Sequence, residues 1–271
     1  MAVIAISRGS RSGGKRLAEC LGESLGWPVL GRELVQHAAD RFDVSEAALA
    51  DAMERAPRRW QRNGRRYAYV VAVQAALAER VAAGDVVYHG LCGQLLLRGL
   101  PGVLRVRLIA PIESRVQVLR QEQGLDAASA AAEIERVDAA RARWVRLMYG
   151  ESINDPALYD AVLNLEFMSL AAACDTLAAT VRQPEFQATD TAQAAYSDFL
   201  LACKVKLALL LDPAARLLAL EATARNGVVE LTGSAPLFAD GSTGETVARV
   251  ARGVEGVGEV RLKLEWYDPY P

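Results

Sequence analysis

Histidine, cysteine and lysine are the scarce residues of this chain, and each scarcity excludes something. There are two histidines, His37 and His89, and four cysteines, Cys20, Cys92, Cys174 and Cys203, far apart and without a C-x-x-C. Neither a zinc site nor a disulfide framework is indicated, because both leave recognisable spacings. Of the twenty-three basic side chains in the first 195 residues, Lys15 is the sole lysine. Charge of one sign is also lacking: the formal net charge is -2, with acids and bases balanced on either side of residue 195, so no specific nucleic-acid partner is indicated. Long apolar runs are missing too. The N-terminal run is too short for a secretory h-region and has no basic segment before it, and no later stretch reaches the ~20 residues of a spanning helix. A cytoplasmic protein that is not transmembrane is therefore expected. What remains is an ordinary globular composition, 52% hydrophobic over 271 residues, enough for two cores.

Residues Val3 to Leu17 read VIAISRGSRSGGKRL: an apolar run, then glycines and serines, then a lysine, then an amphipathic start. This predicts a buried strand, a loop and a helix. Gly9-Ser10-Arg11-Ser12-Gly13-Gly14-Lys15 has the G-x-x-x-x-G-K spacing of a P-loop. Its glycines let consecutive N–H groups converge on an anion, at the positive end of the next helix. Lys15 would add a point charge for the outer phosphates. Arg16 stands where that motif wants a Ser or Thr hydroxyl for magnesium, so Ser10, Ser12 or a water-held ion are the alternatives. A plain Gly/Ser turn is the competing reading. Leu17, Cys20, Leu21 and Leu25 at helical spacing favour the phosphate loop.

Further along, Val29-Leu30 reads as a short strand, Arg32 to Phe42 and Tyr69 to Ala83 as helices, and Val86 to His89 and Val103 to Ile109 as strands. Asp126 to Tyr149 is an arginine-rich helix, Tyr159 to Leu165 a last strand and Ser169 to Val181 a last helix. Strands alternating with helices argue for a parallel sheet, whose ligand lies beyond the carboxyl ends of the strands. Between Arg55 and Arg66 lie six arginines with Trp60 and Tyr67 nearby, either a basic segment that closes over phosphates or a solvated loop. Polar, aperiodic Gln183 to Gln193 reads as a linker. Beyond it the order is α-β-β-α-β, with Asn226-Gly227 as a hairpin turn. The expected organisation is an α/β domain over 1–183, a linker over 184–194 and a small α+β domain over 195–271.

The first domain resembles the cytidylate-kinase-like branch of the P-loop nucleoside monophosphate kinases. The resemblance rests on ISRGSRSGGKRLAECLGESLGWPVLGREL, GVLRVRLIAPIESRV, the DAARARW segment and DPALYDAVLN. It implies a P-loop NTPase-type parallel sheet with flanking helices, and phosphoryl transfer from ATP to a nucleoside monophosphate with Mg2+. It further implies a lid whose Arg141, with Asp138 as neighbour, stabilises the transferring phosphate, and gives Arg143 a place among the nucleotide-binding residues. Arg32 and Arg115 fall in family-like strings and become candidates for substrate phosphates. Departures are Arg16, Arg11 where relatives often carry glycine, Gly31 where they often carry aspartate, and Leu91 where an arginine often follows the glycine.

The last 75 or so residues resemble a BON domain, through ARNGVVELTG and VARVARGVEGVGEVRLKL. Such domains are associated with lipids, membranes or hydrophobic partners, so this one implies a lipid or protein partner, with self-association as a homo-oligomer also open. The leading expectation is a nucleoside monophosphate kinase-like phosphotransferase regulated or localised by a BON module. The alternatives are a non-catalytic nucleotide-binding switch acting through that module, and a lipid or hydrophobic-ligand binding protein.

Overall fold

The computed structural model describes residues 2–42, 44–54, 65–187, 189–218, 220–236 and 241–267. Most of the arginine-rich stretch 55–66 thus lies outside the described residues. In chain order the elements begin with β1 (Val3–Arg8), α1 (Gly14–Leu25), β2 (Val29–Leu30), α2 (Glu33–Phe42), α3 (Glu46–Glu54) and α4 (Arg65–Ala82). They continue with β3 (Val86–Tyr88), α5 (Gly93–Leu96), β4 (Val103–Ile109), α6 (Ile112–Gln123), α7 (Ala127–Tyr149), β5 (Ala161–Asn164) and α8 (Leu170–Val181). The last third holds α9 (Asp190–Leu211), β6 (Glu221–Arg225), β7 (Val228–Pro236), α10 (Gly241–Arg252) and β8 (Glu259–Tyr267). The chain divides into two compact units, residues 1–33, 53–58 and 83–189 in one and residues 34–52, 59–82 and 190–271 in the other.

The first unit is built on a parallel sheet of order β2-β3-β1-β4-β5, flanked by helices as the α/β reading expected. Its central strand, VIAISR, is apolar until its last two residues because both faces are covered. Ile4, Ile6, Leu104, Val106 and Leu108 pack against Leu17 and Leu21 of α1 and Ala173, Leu177 and Val181 of α8. Each of the larger side chains, Ile, Leu or Val, removed from water contributes about 1.5–3 kcal/mol. A disulfide joins Cys20 of α1 to Cys174 of α8, Cα to Cα 6.3 Å. This corrects the expectation of no disulfide: the partners are 154 residues apart, and only the packing of α1 on α8 brings them together.

The second unit carries a three-stranded sheet, with β6 antiparallel to β7 and β7 parallel to β8. Asn226 (φ 50°) and Gly227 (φ 78°) form the hairpin turn, the left-handed pair that a tight turn between twisted strands requires. Val205, Leu209, Leu220, Val229, Leu231, Val247 and Ala251 make its core, and Cys203 of α9 packs with Ala75 and Ala78 of α4. α9 starts at Asp190, earlier than periodicity alone suggested, and buries Ala192 and Tyr196 one turn apart. β6 begins at Glu221, after a turn in which the Asp212 carboxylate accepts the N–H groups of Ala214 and Ala215 (both 2.9 Å). α3 and the four-residue α5 had no counterpart in the sequence reading. Among the described residues no helix is long and apolar enough to cross a membrane.

Candidate functional site: an arginine-lined crevice at the P-loop

β1 and β4 are neighbours in the sheet, and both open at their carboxyl ends into a cavity of about 280 Å³. Arg8 and Gly9 line it from the end of β1, Arg107, Ile109 and Ala110 from the end of β4, Ser12 from the loop and Arg115 from α6. Asp138, Arg141 and Ala142 enter from α7, and Ile153 and Asn154 from the segment after it. Four guanidiniums and one carboxylate thus share a small space.

The loop 9–13 wraps the start of α1. Ser10 and Ser12 are both buried, and the Ser12 hydroxyl has no hydrogen-bond partner. The α1 N-terminus has neither a side-chain cap nor an acid in its first turn, so its positive end is left for a ligand. Arg115 ties the loop down, Nε donating to the Ser10 carbonyl at 2.7 Å while its far end pairs with Asp138. The Asp138 carboxylate also accepts the Ser10 N–H at 2.8 Å. A carboxylate on a P-loop amide and an arginine occupies the donors that a phosphate oxygen would use.

Arg107 reaches the cavity from a buried position on β4, donating to Ser7 Oγ and Asn154 Oδ1, both at 3.2 Å. Below it Tyr159 donates to the Ile153 carbonyl at 2.8 Å and accepts from Gln94 Nε2 at 3.1 Å. All of Arg107's named partners are neutral, so its charge is held in place without being cancelled. Arg8 is in a similar state. Burial, then the like charges of Arg141 and Arg11, lower its pKa to about 10. It stays charged at neutral pH, in an environment that opposes the charge.

The residues expected from the sequence fall into two groups. Gly9, Ser12, Arg115, Asp138 and Arg141 line the cavity, with Ser10 bonded to two of them. Lys15 does not: it is 73% exposed and its Nζ faces Glu19 at 3.7 Å. Arg11 turns to Glu122 of α6 at 2.7 Å. Arg16, Arg32 and Arg143 are exposed and are not among the cavity's lining residues. Arg143, two positions beyond Arg141, leaves the helix on another side. Gly31 faces the His89 ring, and a Cβ there would lie 2.5 Å from Nε2, so the imidazole occupies the space of the aspartate that relatives often carry. The sequence reading missed Arg8, Arg107 and Asn154. For Arg8 the signal available was a charge at the carboxyl end of an otherwise apolar strand, VIAISR, and for Arg107 it was a second arginine on one face of the alternating VLRVRLI.

The donor set fits a nucleotide's phosphates. For a magnesium ion the lining side chains that can offer oxygen are Ser12 and Asp138, since Asn154's oxygen is taken by Arg107. No cluster of three metal-ligating side chains occurs among the described residues. Magnesium in such sites is held largely by phosphates and water, so two protein oxygens suffice for an ion arriving with its nucleotide.

An uncharacterized protein from Eubacterium ventriosum has a similar fold, at 17% identity and a TM-score of 0.53, over 67% of this chain and 98% of that one. A shikimate kinase from Bacteroides thetaiotaomicron gives 13% identity and a TM-score of 0.41 over 67% and 99% of the two chains. TT1252 from Thermus thermophilus gives 21% and 0.40 over 67% and 98%. No curated protein matches the chain. The cytidylate kinase-like family profile matches residues 3–166, the span that supplies β1, the loop, β4, α7 and so every wall of the cavity, and the chain belongs to the cytidylate kinase-like family.

Proposed function

We propose that the protein is a P-loop phosphotransferase that moves the terminal phosphoryl group of ATP, with Mg2+, to a nucleoside monophosphate. The observation that carries this reading is the convergence of Arg8, Arg107, Arg115 and Arg141 on the loop at the carboxyl ends of β1 and β4. In the step, an anionic phosphate oxygen of the acceptor forms a bond to the γ-phosphorus. The bond from that phosphorus to the β–γ bridging oxygen breaks, and its electron pair leaves on ADP. Charge on the peripheral oxygens rises through this step, and preplaced guanidiniums stabilise it. Arg141 and Asp138 sit on α7 and act together: phosphate displaces the Asp138 carboxylate from the Ser10 N–H and Arg115, and Arg141 closes on the incoming charge.

The C-terminal α-β-β-α-β module is proposed to be BON-like and to regulate or localise the kinase unit through a lipid or protein partner. Its hairpin and parallel third strand support that reading. A cytoplasmic location follows from the nucleotide substrates. The second reading is a nucleotide-binding switch without turnover, favoured by Arg16 in the place of the magnesium hydroxyl and by the exposed Lys15.

A phosphoryl-transfer assay with ATP-magnesium against a panel of nucleoside monophosphates tests the proposal. Transfer to one acceptor, lost in Arg141→Ala, is the expected result. Nucleotide bound but never transferred would favour the switch, and no binding at millimolar nucleotide would overturn both.

A further inference from the structure

The loop's spacing assigns the phosphate charge to Lys15, yet another residue holds the position such a charge must occupy. Arg8, the last residue of β1, lines the cavity while Lys15 does not. Its stem crosses the start of α1 so closely that a Cβ on Gly14 would lie 2.0 Å from Arg8 Cδ, and glycine is the residue that permits the crossing. Arg8 Nε is buried and has no hydrogen-bond partner, and no acid lies within ion-pair distance of Arg8 among the described residues. Asp138, the cavity's carboxylate, is engaged by Arg115 and Ser10. The strongest charges acting on Arg8 are the like charges of Arg141 and Arg11, which outweigh the attraction of Asp138, and the uncapped positive end of α1 lies beside it.

A half-buried cation with a buried, unpartnered Nε and no ion pair is costly unless something anionic arrives to pair with it. Nearby, the unpartnered Ser12 hydroxyl, 2% exposed, adds a second group that the protein itself leaves unsatisfied. Lys15 by contrast is solvated and faces Glu19, an arrangement worth little either way.

We propose that Arg8, rather than Lys15, is the catalytic residue that neutralises the phosphates held by this loop. The inference rests on the phosphotransferase reading for its role in transfer, while its role in phosphate binding can be tested separately. Arg8 adds a planar, multiply donating group above the amides of the loop, and the site's free energy is stored in the unliganded protein as uncompensated charge. Two consequences follow that a merely structural arginine would not produce. Removing the charge stabilises the unliganded protein, and removes the stabilisation that phosphate confers.

The test uses the full chain, with metal-free inorganic tripolyphosphate as the probe, and reads binding by calorimetry together with the thermal midpoint with and without the probe. Arg8→Gln should melt at or above wild type when unliganded, weaken tripolyphosphate binding about a hundredfold or more, and show no probe-induced rise. Arg8→Lys should keep part of the binding. Lys15→Ala should bind within about threefold of wild type, as expected for an exposed side chain. Arg8→Gln melting below wild type with binding intact would overturn the proposal, and so would Lys15→Ala losing binding while the Arg8 variants keep it. Should Arg8→Gln fail to fold, Arg8→Lys against Lys15→Ala decides. Failure of the transfer assay alone would remove the kinase reading and leave the binding result standing.

Discussion

Lys206 on α9 and Arg8 at the end of β1 are both cations taken largely out of water, in different units of the chain, and their surroundings are opposite. Lys206 pairs with Glu221 and lies 4.9 Å from the Tyr67 ring centroid. Burial pulls its pKa down, but Tyr67 and Glu221 outweigh that and hold it above the ordinary lysine value. In the same unit Glu79 accepts Arg41 and Lys204, each at 3.4 Å, with His37 at 3.8 Å. There a half-buried acid is held between two counter-charges, Arg41 and Lys204. At the crevice of the first unit the imbalance runs the other way, with Arg8, Arg107, Arg115 and Arg141 around Asp138. A charge network that serves the fold is closed on itself, and one that serves a ligand is left open by the ligand's charge.

The largest effect should come from breaking the open network. Gly14→Ala places a methyl where Arg8 crosses α1, so phosphate binding and transfer should fall about a hundredfold, while the thermal midpoint stays within a few degrees because the displaced atoms belong to a side chain. Loss of the fold instead would show that the loop, rather than Arg8, needs the glycine. Next is the bridge that ties α1 to α8. Reduction, or Cys20→Ser with Cys174→Ser, should destabilise the protein by about 2–4 kcal/mol, read by denaturant melts with and without reductant. An unchanged midpoint would show that packing alone holds the two helices.

A smaller effect is expected from breaking the closed network. Lys206→Met removes the cation that pairs with Glu221, and because Glu221 is well exposed the loss should be about 1–2 kcal/mol, with tripolyphosphate binding unchanged. If binding moved as well, the contrast between the two networks would fail. The smallest effect belongs to His89, whose pKa is lowered from 6.5 by burial first and then by Arg8, with Glu33 opposing. The unfolded chain then binds more protons than the folded one near and below pH 6.5, so stability rises with pH there. It is fully present above pH 6.5 and falls as pH drops below that value. His89→Gln should flatten this slope in melts taken between pH 5 and 7.

Much of the site was readable before the fold, because it lies in a local pattern. The strand, loop and helix over 3–25 depend on neighbours a few residues apart, as do the Asn226-Gly227 turn and the Ser169 and Asp126 caps. Arg115, Asp138 and Arg141 were found through family-like strings, and all three line the cavity. Lys15 shows the limit of motif spacing. Its number in the loop is right for a phosphate, but a side chain's direction depends on what packs beside it, and here Arg8 lies over the helix start. Arg105 and Arg107 make the same point. They share one face of an alternating strand, yet Arg105 pairs with Asp160 at 2.6 Å and Arg107 enters the cavity.

From the sequence alone came the alternation of strands and helices, the phosphate loop and the hairpin, since hydrophobic period, glycine placement and caps act over one or two turns of chain. Only the tertiary structure decided which charges remain uncompensated. It brought Asp138 onto the Ser10 amide across 128 residues and Cys20 onto Cys174 across 154. It also grouped residues 34–52 and 59–82 with the C-terminal segment. Compensation and contact are properties of distance in space, and a chain folded through a crossover sheet places residues together whose separation along the sequence carries no trace of it.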